Sequence, residues 1–315
     1  MNIQNFDAIS RRRAIQASIA AALPCLSTGF AADAPPAQPA VKPQVGIATF
    51  GFTTMTNAQL AKELSNAGIG IVQLFLSQTD SNYWRYNQRS DVSSLSPDRC
   101  REIASFYRQL GLKIHSIGVY TNLIHPDPAE RKANLAYFEA MMAIGEYMGV
   151  RTFITEAGHY QTEKSEAVEY HFQEPVWRQM VATGKELAKV AEQHNAVVLM
   201  EPFFRGFLAS AKRTRLFLEE VGSTRIRALL DPANLLEVND LNEMFAQLGS
   251  YIDCLHAKDR KLHVDRGVPA GQGDLDYSQY VKLAAERTPH APLILEYVGQ
   301  ADYRQALAHL QNNLR

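Results

Sequence analysis

The amino-acid sequence predicts a single (β/α)8 barrel, an α/β fold of eight parallel strands ringed by helices, and three observations carry that expectation. A short β-rich apolar run, a polar loop and a longer segment of helical spacing recur eight times after Gln44. Strands alternating with helices pair in parallel through right-handed crossovers, and eight such units close into a barrel. Of 315 residues, those beyond the N-terminal segment described below approach the ~250 typical of such barrels. No glycine-rich dinucleotide fingerprint follows the first strand, which weakens an open doubly wound sheet.

The predicted strands are 45–50, 69–76, 113–120, 151–157, 196–202, 225–231, 253–259 and 293–298. Helices are expected over 57–67, 97–110, 128–148, 174–194, 212–221, 241–248, 277–287 and 301–314. Ser96-Pro97 sets a cap before a first-turn proline, and Asp127-Pro128-Ala129-Glu130 has the pattern of a capping box. Gly68, Gly111 and Gly149 follow helices where a left-handed closing residue is wanted, and each leads into a strand.

The N-terminus has another character. Ser10-Arg11-Arg12-Arg13 precedes an alanine-rich, weakly apolar run from Ala14 to Leu26 and small residues around Ala31-Ala32, the order of an export signal. The arginine pair points to the twin-arginine export machinery, and Ala22-Leu23-Pro24 makes a poor lipobox before Cys25. Residues 1–32 are therefore expected to be a signal peptide, 33–43 a flexible Ala/Pro/Gln tether and 44–315 the barrel. Loss of three arginines and Asp7 with the signal shifts the formal charge from −1 to −3. No later apolar run approaches the ~20 residues of a membrane span, so no stable membrane anchor is expected and the mature chain is expected in the periplasm.

Hydrophobic residues make up 46% and charged residues 21% of the chain, enough for a large core and against wholesale disorder. The near-neutral charge without basic blocks lacks the footprint of a nucleic-acid binder. Cys100 falls on an outer helix and Cys254 on an inner strand, so no disulfide between them is expected.

The chemistry gathers at the ends of the last four strands. Val197–Met200 runs into Glu201, Ala228-Leu229-Leu230 into Asp231, Cys254-Leu255 into His256, and Leu293–Leu295 into Glu296. Any one of these could be a loop residue that merely faces water; four in consecutive units bring three carboxylates and an imidazole to one side of a barrel mouth. Carboxylates converging at low dielectric repel one another unless a cation sits among them. One imidazole with three carboxylates is a hard, oxygen-rich set that favours Mn2+, with Mg2+, Co2+ or Fe2+ as alternatives, over the usual zinc ligands. Such an ion polarises a carbonyl and stabilises an enediolate.

Motifs in order extend this pattern: Tyr120-Thr121-Asn122-Leu123-Ile124-His125-Pro126-Asp127-Pro128, Met200-Glu201-Pro202, Leu230-Asp231-Pro232-Ala233-Asn234, His256-Ala257-Lys258-Asp259, Gly271-Gln272-Gly273-Asp274-Leu275-Asp276-Tyr277 and Leu295-Glu296-Tyr297. From about Val45 onward the chain resembles the xylose-isomerase-like TIM barrels, which include sugar isomerases and epimerases, inosose dehydratases and endonuclease IV. Its site pattern is most similar to that of the ketose 3-epimerases. That resemblance implies metal ligands at Glu201, Asp231, His256 and Glu296, with Glu201 and Glu296 also serving as the acid/base pair on the two faces of the sugar carbon. It further implies that Arg266, in Arg266-Gly267-Val268-Pro269, holds substrate oxygens.

One departure is Asn234, where the 3-epimerases carry a substrate-touching histidine. It keeps a dehydratase, a lyase or a keto-glycoside-cleaving relative as alternatives, with a non-catalytic sugar-binding barrel as a lesser one. Endonuclease IV needs further histidines, one of them where Asn234 stands. Relatives often pair through outer helices, so a homo-oligomer is an expectation, though no exposed stripe here marks an interface.

Other residues have two readings each. Lys258 shares the inward parity of His256 and either holds a substrate hydroxyl or acts in acid/base chemistry, or else pairs with Asp259 in solvent. Glu156 either adds a carboxylate beside Glu201 or shapes a loop with Gly158 and His159. Trp84, with Tyr83, Tyr86, Phe50 and Phe52, either walls a sugar pocket or seals the barrel mouth. His115, His171 and His194 lack partner spacing and are read as structural. Export and the lack of a phosphate-cradling loop favour a non-phosphorylated sugar as the small-molecule substrate.

Overall fold

The computed structural model describes residues 43–160, 168–264 and 266–315. The predicted signal and nearly all of the predicted tether lie outside the described residues. The barrel strands are β1 (Val45–Ala48), β2 (Ile71–Leu74), β3 (Lys113–Gly118), β4 (Thr152–Thr155), β5 (Val197–Met200), β6 (Ile226–Leu230), β7 (Ile252–Asp259) and β9 (Leu293–Leu295). They hydrogen-bond in the order β6-β5-β4-β3-β2-β1-β9-β7, and a further β6–β7 pairing closes the ring. Every barrel pairing is parallel. Among the described residues no helix is long and apolar enough to cross a membrane.

Among the described residues eight α-helices surround the strands: α1 (Asn57–Asn66), α2 (Pro97–Gln109), α3 (Pro128–Met148), α4 (Glu174–Gln193), α5 (Ala211–Val221), α6 (Leu241–Leu248), α7 (Tyr277–Arg287) and α8 (Tyr303–Asn313). Ser96 caps α2 by accepting from the Arg99 N–H. Asp127 caps α3 through the Ala129 N–H, while Glu130 is drawn away from the expected reciprocal contact to Arg89 at 2.9 Å. The reciprocal box forms instead at α1, between Thr56 and Gln59. Gly68, Gly111 and Gly149 adopt φ of +74°, +78° and +75°, as the strand entries require.

Most strands are shorter than predicted, because the apolar runs continue into loops beyond the last ladder bond. β7 keeps its predicted end, since a two-residue strand β8 (Val268–Pro269) pairs antiparallel with Lys258 and Asp259. Proline is tolerated on such an edge, and this short strand is additional to the eight predicted. Cys100 and Cys254 are both buried and free, as expected.

Two apolar layers result. The larger lies between strands and helices; the smaller fills the barrel with Ala48, Ile71, Ile154, Leu199, Leu229, Cys254 and Ile294. Side chains alternate across a strand with period 2. Leu199, Leu229, Cys254 and Ile294 therefore point inward two residues before Glu201, Asp231, His256 and Glu296, and seal the barrel beneath them.

Candidate metal and substrate site

The four predicted ligands meet at the carboxyl ends of β5, β6, β7 and β9. One ligand atom from each of Glu201, Asp231, His256 and Glu296 lies within 4.8 Å of the others, and all four residues are buried. His256 Nδ1 stands 3.2 Å from Glu201 Oε1, 3.4 Å from Glu296 Oε2 and 3.9 Å from Asp231 Oδ2.

Local structure fixes each group. Asp231 begins a 3-10 turn (Pro232–Asn234), and its Oδ1 accepts the Ala233 N–H at 2.9 Å, which leaves Oδ2 facing the cluster. Glu201 accepts from the Tyr120 hydroxyl at 2.6 Å and from Asn234 Nδ2 at 3.0 Å. His256 Nε2 lies 2.7 Å from Gln73 Oε1, and the Tyr280 hydroxyl donates to the His256 carbonyl at 2.9 Å. Tyr297, which follows Glu296, holds φ of +56°, the sparsely populated conformation often found beside functional groups.

Lys258 turns inward. Its ammonium lies 2.6 Å from Asp231 Oδ2, 3.1 Å from Glu296 Oε2 and 2.9 Å from Asn234 Oδ1, and 4.5 Å from the centre of the Tyr297 ring. The expected alternative, a solvent-facing pair with Asp259, is corrected. Asp259 is buried and accepts the N–H groups of Arg260, Gly271 and Leu275. It anchors the glycine-rich loop, as its outward parity on β7 requires.

Burial opposes the charged imidazolium of His256, yet Glu296 and Glu201 outweigh it and raise its pKa to about 10. Burial also opposes the Lys258 ammonium, but Asp231 and Glu296 hold it charged. Asp231 is pushed up to about 6 by burial, against the pull of Lys258. Glu296 moves down because His256 and Lys258 overcome its burial.

Above the cluster is a cavity of about 160 Å³, lined by Phe50, Trp84, Tyr120, Glu156, Asn234 and Tyr297 among others. Tyr86 also lines it and donates its hydroxyl to Glu156 Oε2 at 2.7 Å. Burial, then Glu201, raises Glu156 to about 8. Phe52 and Tyr83 do not join this wall. Phe52 packs on Tyr303, and Tyr83 sits against the outer core with its hydroxyl on Ser94. Arg266 is exposed, and its neighbour Gly267 lines the cavity.

His115, His171 and His194 stand outside the quartet; His171 Nε2 accepts the Tyr160 N–H, and His194 Nδ1 contacts Glu146. The sequence reading missed Gln73, a lone amide in an apolar strand whose parity with Ile71 was the available signal. It also missed the hydroxyl contact of Tyr120.

The donor set fits a divalent ion. Asp231 Oδ2 and Glu296 Oε2 are buried and face the cluster, and the cation that touches both is the Lys258 ammonium, at 2.6 and 3.1 Å, so the carboxylates already gather positive charge where a metal ion could be held. Oxygen-rich donors of this kind suit hard metals.

The chain belongs to the xylose isomerase-like TIM barrel family, whose model matches residues 61–313. Among curated proteins no sequence matches it. Its structure is similar to D-psicose 3-epimerase from Clostridium cellulolyticum H10, solved with D-tagatose: 16% identity, TM-score 0.66, covering 86% of this chain and 99% of that one. A probable 3-DHS dehydratase from Bacillus anthracis matches at 17% identity and TM-score 0.67, over 85% and 97% of the two chains. A xylose isomerase-like barrel from Mycobacterium smegmatis, solved with magnesium, matches at 16% identity and TM-score 0.63, over 87% and 96%. At these identities the likeness is one of fold.

Proposed function

We propose that this barrel is a divalent-metal-dependent isomerase or epimerase of a non-phosphorylated sugar, working through an enediolate. The observation that carries the proposal is the convergence of Glu201, Asp231, His256 and Glu296 to within 4.8 Å beneath an aromatic cavity. The cavity's roughly 160 Å³ falls below the ~300–1,000 Å³ of pockets for drug-sized ligands, which favours a single sugar ring over a glycoside. Lys258, the cation among the described lining residues, is already engaged by Asp231 and Glu296, so a phosphate has no ready partner there.

An ion, Mn2+ in our proposal, would be held by the quartet and would supply Lewis acidity to a substrate carbonyl. The residues do the rest. Glu201 and Glu296, held at fixed separation around His256 Nδ1, move the proton off and onto the carbon beside the carbonyl. Tyr120 and Asn234 orient Glu201, and Lys258 orients Glu296. Phe50, Trp84 and Tyr297 offer ring faces to the sugar and exclude water. The N-terminal arginines and alanine-rich run support twin-arginine export of the enzyme to the periplasm.

The test is metal analysis followed by incubation of D-fructose, D-tagatose and 3-oxidised glucose with the Mn2+-loaded protein in heavy water. The expected result is deuterium on the carbon beside the carbonyl, lost on chelation and reduced about 10²–10⁴-fold in Glu201→Gln and in Glu296→Gln. Unchanged turnover in both variants refutes the acid/base roles, and binding without deuterium uptake indicates a sugar-binding barrel. A second reading, a dehydratase, is favoured by Glu156, a carboxyl held protonated at the cavity wall that could protonate a leaving hydroxyl. An unsaturated product selects it.

A further inference from the structure

Gln73 is a buried amide that the proton transfers above do not use. It projects into the barrel from β2 between Ile71 and Phe75 and is fully buried. Its Oε1 lies 2.7 Å from His256 Nε2, while its Nε2 finds no hydrogen-bond partner among the described residues. An unpartnered buried N–H2 costs stability, and an apolar side chain would avoid that cost, so packing alone does not account for the amide.

The other face of the His256 ring explains it. Nδ1 is turned to Glu201, Glu296 and Asp231 at 3.2, 3.4 and 3.9 Å. A neutral imidazole offers a lone pair at Nδ1 only when its hydrogen is on Nε2. An acceptor opposite Nε2 enforces that arrangement. The reverse amide orientation would set N–H2 against Nε2, demand a lone pair there and drive the hydrogen to Nδ1, into the space a metal ion needs.

We propose that Gln73 is a positioning residue for the metal centre: its carbonyl holds His256 as the Nε2–H tautomer, with the ring turned so that Nδ1 completes the ligand set with Glu201, Asp231 and Glu296. The inference rests on the metal reading above. It assigns a role to β2, a strand that contributes none of the four ligands.

Calorimetric titration of Mn2+ into the full-length protein tests it, using wild type, Gln73→Leu and Gln73→Glu, each also in a His256→Ala background. Gln73→Leu is expected to weaken Mn2+ binding about 10–100-fold, as loss of the partner of a ligating histidine does. Gln73→Glu, which keeps an acceptor, is expected to stay within about threefold of wild type, and neither change is expected to matter once His256 is alanine. Should Gln73→Leu fail to fold, Gln73→Met serves in its place. Wild-type-like binding by Gln73→Leu, a Gln73→Glu as weak as it, or an equal loss without His256 would overturn the role of Gln73 while leaving the metal site standing. A wild type that binds no Mn2+ would overturn the metal reading itself, and this role with it.

Discussion

The Lys258 ammonium stands 2.6 Å from Asp231 Oδ2, inside the ring of carboxylates. It therefore offsets the repulsion among Glu201, Asp231 and Glu296, and it opposes any second cation that enters. The two effects have opposite signs in Lys258→Met. Without metal, loss of the ammonium leaves buried charge uncompensated, and the variant should be destabilised by about 3–5 kcal/mol. Mn2+ binding should tighten on the order of tenfold as the repelling charge disappears. Urea unfolding in chelator and a Mn2+ titration read the two quantities separately; unchanged affinity would place Lys258 outside the cation's reach.

Metal binding is expected to depend on pH through His256. Because its folded pKa is raised to about 10, the metal-free site carries imidazolium at neutral pH, and an ion must displace that proton. Apparent Mn2+ affinity should rise about tenfold per pH unit between pH 7 and 9. Below about 6, where Asp231 is protonated as well as His256, the slope should steepen. A Mn2+ affinity that stays flat over pH 7–9 would show that no proton leaves His256 when the ion binds.

The quartet was legible because strand parity and strand order alone decide which residues meet at a barrel mouth. Glu201, Asp231, His256 and Glu296 each end an apolar run, and each follows an inward-facing residue by two. Lys258 obeyed the same parity, but its partners depend on the path of the 3-10 turn after Asp231, which no local pattern encodes. Asp259 was misjudged for the converse reason: its three N–H donors come from residues up to 16 positions away. Gln73 was invisible because a single amide in an apolar strand has no partner until the barrel closes and brings β2 across from β7.

Gly273 offers a test of that anchoring role. A Cβ at this position would stand 2.2 Å from Asp259 Oδ1 and 2.5 Å from the backbone nitrogen of Arg260. Neither can yield without giving up the hydrogen bonds that hold Gly271 and Leu275 to Asp259. Gly273→Ala should cost about 1–3 kcal/mol in urea unfolding, the range for forced overpacking. A wild-type midpoint and slope would mean that the loop is free to shift away from Asp259.

Glu156 gives stability a pH dependence whose sign runs against the usual carboxylate. Burial, with Glu201 adding to it, raises its pKa from 4.5 to about 8, while the Tyr86 hydroxyl bond pulls the other way. The folded chain therefore binds one more proton than the unfolded chain between those values, and stability falls as pH rises through that window. Glu156→Gln removes the titrating group and keeps the shape. Wild type should lose stability relative to Glu156→Gln as pH climbs from about 4.5 to about 8, with the difference constant on either side. Tyr86→Phe takes away the donor that favours the anion and should extend the upper limit of the window. Urea unfolding in chelator at pH 5, 7 and 9 measures all three proteins, and a wild-type-to-variant difference that is the same at each pH would show that Glu156 is already ionised in the fold.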